Sequence, residues 1–146
     1  MIKIIFIVSI LVLGTSFSGI KDEKFSLKVE VGELRNSTGI VQFALYNQEG
    51  TIPDEHYKKH YKLLRGEIRD GSAQVMFTDL PPGKYAVNVL HDENSNGKID
   101  KGLILPKEGI GFSNIQSIGI GKKPSFAKAS FQLEGNATIR VKVIYM

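Results

Sequence analysis

Short runs of alternating apolar and polar residues, each closed by Gly, Pro, Asn or Asp, constrain this chain more than any other feature. Phe25, Leu27, Val29 and Val31 alternate with Ser26, Lys28 and Glu30, the period of a strand with one face on a core and the other in water. The period returns at Val41, Phe43 and Leu45, at Ala73, Val75 and Phe77, and at Tyr85, Val87 and Val89. It returns again at Phe131 and Leu133, and at Ile139, Val141, Val143 and Tyr145. Turn-forming residues separate the runs at 35–39, 70–71, 79–83 and 134–136. Strands at this spacing predict an all-β chain, a single antiparallel β-sandwich of about seven strands. Two segments break the pattern. Residues 51–64 suit a short helical excursion starting near Pro53 or Asp54, and residues 102–123, with glycine at 102, 109, 111, 119 and 121, read as a long ordered loop. Loops of that length usually serve function or are mobile.

The turn at Leu80-Pro81-Pro82-Gly83-Lys84-Tyr85 sharpens the expectation. Pro82 suits the second position of a type II turn and Gly83 the third, so the chain reverses and enters a strand with a buried tyrosine. This Leu-x-Pro-Gly-x-Tyr arrangement resembles the turn of secreted prealbumin-like, Ig-like and carboxypeptidase-regulatory-like sandwiches, and it implies a fold and no function.

The chain begins as an exported protein would. Met1 and Lys3 give a positive start, Ile4 to Leu13 is apolar, and Ser16-Phe17-Ser18 places small residues before Gly19. Residues 1–18 are therefore expected to be a signal peptide, with one domain over residues 19–146. The apolar run falls short of the roughly 20 residues that span a bilayer, and with no cysteine in the chain there is no lipid attachment through a thiol. A secreted domain of this size can bury enough surface to fold without disulfides. Loss of Lys3 with the leader lowers the formal charge from +4 to +3. Lys58, Lys59, Lys62 and Arg65 alternate with Tyr and Leu and read as a solvated face, so nucleic acid is not expected as a partner.

Asp92-Glu93-Asn94-Ser95-Asn96-Gly97-Lys98-Ile99-Asp100 carries the chemistry. It places oxygen side chains at positions 1, 3, 5 and 9 of a loop with glycine at 6, the spacing of an EF-hand-type calcium loop. The expected ligands are the side chains of Asp92, Asn94, Asn96 and Asp100 and the carbonyl of Lys98, with Ile99 facing inward. Position 12 is Leu103 in place of a bidentate glutamate, so water, Glu93, Glu108 or another loop must complete the six to eight oxygens calcium requires. Affinity on the order of 10⁻⁴ to 10⁻³ M follows, which makes calcium a weak, structural cofactor. The same residues also suit a metal-free hairpin loop.

Other chemistry is weaker. His56 and His60 are spaced as zinc ligands on a helix, but no His-Glu-x-x-His and no third ligand accompany them. His91 beside Asp92 could act as a base, although no motif marks a nucleophile. The glycines at 109, 111, 119 and 121 fail the phosphate-loop spacing.

Taken in order, the segments at 80–87 and 91–100, Pro106-Lys107-Glu108-Gly109-Ile110-Gly111-Phe112-Ser113-Asn114 and Pro124-Ser125-Phe126-Ala127-Lys128-Ala129-Ser130-Phe131 resemble a secreted bacterial family, domain-of-unknown-function family 2141. The resemblance runs from the strand at Leu27-Lys28-Val29-Glu30-Val31 to the closing strand ending at Tyr145. It implies a small exported β protein, periplasmic or extracellular, and brings no activity with it. Lys101-Gly102 stand where the family has more polar residues, so an extra metal ligand is not expected at these two positions.

These readings converge on an exported, non-catalytic β-sandwich of the cell envelope, a binding or accessory module with a structural calcium loop at 92–100. Its partner is expected to be an envelope protein, a glycan or a small ligand, with no integral membrane segment after signal cleavage. The alternative is a metal-dependent hydrolase using His91 and Asp92.

Overall fold

Each alternating run but the last becomes a strand; the last, expected to run from Ile139 to Tyr145, is a strand only as far as Arg140, and residues 141–145 continue outside any strand with a single bridge from Ile144 to Ile110. In the computed structural model, which describes residues 22–146, the order is β1 (Phe25–Val31), β2 (Ile40–Tyr46), β3 (Lys62–Gly66), β4 (Ala73–Leu80), β5 (Gly83–Asp92), β6 (Gly109–Phe112), the one-turn helix α1 (Phe126–Ala129), β7 (Phe131–Leu133) and β8 (Ala137–Arg140). The expected signal peptide lies outside the described residues. The strands form two sheets, one in the order β4-β1-β8 and one in the order β3-β2-β5-β6, with β7 paired to the start of β5. The sandwich is antiparallel in every strand pair but one, since β8 lies parallel to β1 from Leu27↔Ala137 to Glu30↔Arg140.

Leu27, Val29 and Val31 of β1, Phe77 and Leu80 of β4, Val41, Phe43 and Leu45 of β2, and Tyr85, Val87 and Val89 of β5 meet in the core between the sheets. These are the apolar positions of the alternating runs, as a period of two requires. The opposite faces of β2 and β5 are also buried. Ala44, Tyr46, Ala86 and Leu90 form a second core with Ile52, Tyr57, Ile110, Phe112, Phe126 and Ala129.

Three local expectations need correction. No helix forms in 51–64. The Asp54 carboxylate accepts hydrogen bonds from the backbone N–H of Lys58 at 3.0 Å and Lys59 at 2.7 Å, and Tyr57 adopts φ +51°, which closes a turn and drives the Tyr57 ring onto the outer face of the sheet. The end of that segment is β3, so the sandwich has eight strands instead of about seven. The single helical turn lies at α1, capped by Ser125, whose hydroxyl accepts from Lys128 N–H. The segment 102–123 contains β6, because Gly109 and Gly111 let the chain run against the C-terminal segment. A Cβ at Gly111 would stand 2.3 Å from the Lys142 carbonyl oxygen, and one at Gly109 would stand 2.3 Å from the Tyr145 ring. The residue after Pro82 is nearly extended, with Gly83 at φ +158° opening β5 and no type II turn. Tyr85 is buried as expected, its hydroxyl donating to the Pro81 carbonyl at 2.8 Å.

Gly111→Ala should lower stability by about 2 kcal/mol or more, since both the backbone and Val141 must move. Gly135→Ala, where nothing lies within 4 Å of the new methyl, should change stability by less than about 0.5 kcal/mol. Urea unfolding of both variants measures the contrast.

Candidate functional site

The end of β5 and the start of β6 hold the proposed cation loop. Asp92, the last residue of β5, is fully buried, and its two carboxylate oxygens accept from the backbone N–H of Asn96 at 3.0 Å and of Gly97 at 2.7 Å. The Asn94 and Asn96 side-chain oxygens accept from Asn96 N–H at 3.1 Å and Lys98 N–H at 3.0 Å. Their amide groups both donate to one oxygen of Asp100, from Asn96 at 2.8 Å and from Asn94 at 2.5 Å. The loop thus draws Asp92, Asn94, Asn96 and Asp100 into one turn that curls around the 96–97 peptide. Gly97 takes φ +77° at the reversal, a backbone conformation that glycine adopts without cost. Lys98 lies on the same turn with its side chain exposed, and Ile99 packs against the second core, facing inward as its position predicts.

Glu108 and Glu93, both named from sequence as candidates to complete the shell, go separate ways. Glu108 is buried, and its carboxylate accepts from the N–H of Glu93 at 3.1 Å and of Asp100 at 3.3 Å, clamping both ends of the loop. Burial, with Asp92 and Asp100 as negative neighbours, holds its pKa above the ordinary carboxylate value. Glu93 turns outward and pairs with the Arg35 guanidinium, and Asn36 also donates to it at 2.5 Å. The Arg35 hydrogen bond, opposed by partial desolvation and helped by Asn36, lowers the Glu93 carboxyl to about 2.

Beneath the loop the Tyr57 hydroxyl is buried without a hydrogen-bond partner. Burial pushes its pKa well up, and Asp54, Asp92 and Glu108 add to the shift as negative neighbours. Sequence reasoning missed Tyr57 because it sits in the segment expected to be helical. Among the described residues no three His, Asp or Glu side chains form a ready metal cage. The donor set is one of hard oxygens, suited to calcium, and it is held by backbone hydrogen bonds in the turn.

The histidines do not form a site. His91 has no exposed surface, with Nδ1 2.7 Å from the Tyr145 hydroxyl and Nε2 2.9 Å from the Thr38 carbonyl oxygen. Both ring nitrogens are occupied, so neither reaches a substrate as a base. His56 is exposed and His60 bonds the Tyr57 carbonyl through Nδ1 at 2.7 Å, on a turn with no helical face to align them.

A second feature is a cleft of about 1160 Å³ where the ends of β1, β3 and β8 meet the start of β4. Arg65, Arg69, Gln74, Gln116, Arg140 and Lys142 are among its lining residues. Arg65 also reaches the Gln42 side-chain oxygen at 3.3 Å, and Gln42 donates to the Gly97 carbonyl at 3.3 Å, which joins the cleft wall to the cation loop.

The sequence profile of one bacterial family matches residues 29–140, a span that takes in strands of both sheets, the loop at 92–100 and Glu108. The chain belongs to DUF2141. The family is described as an uncharacterized protein conserved in bacteria. No curated protein and no solved structure matches this DUF2141 chain. Among its described residues no helix is long and apolar enough to cross a membrane.

Two measurements test this geometry in the DUF2141 protein. Tyr145→Phe leaves the His91 Nδ1 without a partner and should cost about 1–3 kcal/mol in urea unfolding. Glu93 ionises more readily folded than unfolded, so its contribution is complete above its ordinary value of 4.5 and lost as pH falls toward about 2. Over that window the wild type should lose stability more steeply than Glu93→Gln in parallel acid titrations.

Proposed function

We propose that this chain is an exported, non-catalytic binding module of the bacterial cell envelope, periplasmic or extracellular, whose loop at 92–100 takes calcium as a structural ion. The observation that carries the reading is the gathering of Asp92, Asn94, Asn96 and Asp100 into one turn with the buried Glu108 carboxylate clamped to both of its ends. Side-chain oxygens from Asp92, Asn94, Asn96 and Asp100, the Lys98 carbonyl and Glu108 make six donors of the hard kind calcium selects. A cation there would offset the cost of burying the Glu108 carboxylate and its repulsion by Asp92 and Asp100, which together hold its pKa above the ordinary value. The ion's service is to fix the loop and, through Gln42 and Arg65, the wall of the cleft. That cleft is lined by Arg65, Arg69, Arg140 and Lys142 and also by Glu30, Glu33 and Glu67, with Arg69 paired to Glu67 and Arg140 to Glu30, and this mixed polar wall suits a polar ligand such as a glycan. The enclosure of His91 favours binding over hydrolysis.

Thermal unfolding of the exported form with millimolar calcium, with magnesium and with chelator tests the reading. At about 1 mM ion and a dissociation constant near 10⁻⁴ M, calcium should add roughly 1.4 kcal/mol, seen as a rise in midpoint of about 5 °C. The rise should be specific to calcium and absent from an Asp92→Ala, Asp100→Ala variant. A midpoint indifferent to calcium would reduce the loop to a hairpin turn.

A further inference from the structure

The segment just past Asp100 is a small hairpin whose apolar residues face away from both cores. Lys101 and Pro106 form an isolated bridge, Gly102 N–H donates to the Leu105 carbonyl at 2.8 Å, and Lys107 N–H donates to the Asp100 carbonyl at 2.8 Å. These bonds push the tip outward. Leu103 is fully exposed, Ile104 is 70% exposed and Leu105 is 37% exposed. Ile99, four residues before Leu103, packs against the second core, so apolar burial is open to this part of the chain and the tip does not use it. Lysines surround the tip: between Lys98 and Lys107 the chain carries Lys98, Lys101 and Lys107 against the single acid Asp100. Lys101 pairs with Glu55, while Lys98 and Lys107 make no ion pair among the described residues. The turn at 119–122 repeats the design, with Ile120 82% exposed and Lys122 and Lys123 following.

We propose that the 101–107 hairpin is a membrane-docking tip that seats on an anionic phospholipid surface, with Leu103, Ile104 and Leu105 entering the acyl boundary and Lys98 and Lys107 meeting lipid phosphates. The shape decides between a bilayer and a protein. A convex tip of three aliphatic side chains offers far less than the roughly 1,000 Å² that a specific protein interface needs, whereas an interfacial anchor needs only a few apolar side chains backed by basic ones. The charges complement phosphatidylglycerol-type headgroups, and each lysine near such a surface adds attraction that salt weakens. The acids around the hairpin are each engaged within the protein: Asp100 accepts from the Asn94 and Asn96 amides, Glu108 is buried, Glu93 pairs with Arg35 and Glu55 with Lys101. The inference goes beyond the calcium reading and stands on the tip alone.

Co-sedimentation with vesicles tests it, using residues 19–146, which hold every strand of the fold, in both calcium and chelator. The protein should pellet with vesicles of phosphatidylglycerol and phosphatidylcholine in equal parts, and much less with phosphatidylcholine alone. Leu103→Glu with Ile104→Glu should lower that binding at least about tenfold with no loss in thermal midpoint, because these side chains touch no core. Lys107→Gln should lower it less and flatten its salt dependence. Any calcium-induced rise in midpoint should survive in the Leu103→Glu, Ile104→Glu variant, so failure of docking and failure of the cation site are read separately. The proposal is overturned if anionic vesicles carry down no protein, or if the double variant binds as well as wild type. It is equally overturned if sedimentation velocity shows a dimer that the double variant dissolves in the absence of vesicle binding.

Discussion

Burial of β2 and β5 on both faces is the constraint from which the rest of the structure follows. An antiparallel sheet ordinarily leaves one face to water, but here every residue from Val41 to Tyr46 and from Tyr85 to Asp92 is buried. The outer face must therefore be roofed, and the chain does this with Ile52, Tyr57, the Ile110 and Phe112 side chains of β6 and the residues Phe126 and Ala129 of α1. The roof is fastened by polar groups. The Ser113 hydroxyl accepts from Val87 N–H at 2.9 Å and donates to the Ala129 carbonyl at 2.6 Å, while Asn88 donates to the Gly111 carbonyl at 3.1 Å. Gln42, Asn88 and Asp92 would be costly on a buried face without partners. Each instead binds a segment of the roof, and in this way the sheet fixes the loop at 92–100.

What could be read from the sequence follows from the range over which each signal acts. The strands β1, β2, β4, β5 and β7 announced themselves through a period of two, and the turn at 92–100 through its Asp, Asn and Gly residues within nine positions. Strand β3 escaped because Lys62-Leu63-Leu64-Arg65-Gly66 does not alternate and owes its place to pairing with β2. Strand β6 escaped because Gly109 and Gly111 look like loop residues until the Tyr145 ring and the Lys142 carbonyl are seen against them. The closure of His91 could not be read locally, since its partners Thr38 and Tyr145 lie 53 and 54 residues away. Glu108 was visible as one candidate among several, and only its burial separates it from Glu93.

Those two glutamates show how one loop sorts its charges by direction. Glu93 faces a guanidinium at the edge of the molecule, and its ionised form is favoured. Glu108 is buried and faces other carboxylates, and its ionised form is disfavoured. Nothing in their chemistry differs. The backbone turn at Asp92 sends one acid to a cation of the protein, Arg35, and leaves the other buried beside Asp92 and Asp100. Arg35 ties this arrangement to the C-terminal segment, since its guanidinium stacks 4.7 Å from the Tyr145 ring centre and its backbone N–H donates to the Tyr145 hydroxyl at 3.2 Å.

The parallel pairing of β1 with β8 bears on the order in which the molecule can assemble. The first strand of the three-stranded sheet lies between β4 and β8, and its Ser26 N–H is capped by Asn136, 110 residues further along. Closing a loop of that length carries an entropic cost that nearby contacts do not share. A chain that emerges from its N-terminus therefore makes its opening strand early and leaves one edge of it unpaired until residues 137–140 arrive. Until then the apolar face of β1 lacks part of its cover. Completion of the three-stranded sheet is thereby tied to the arrival of residues 137–140, a timing set by topology alone.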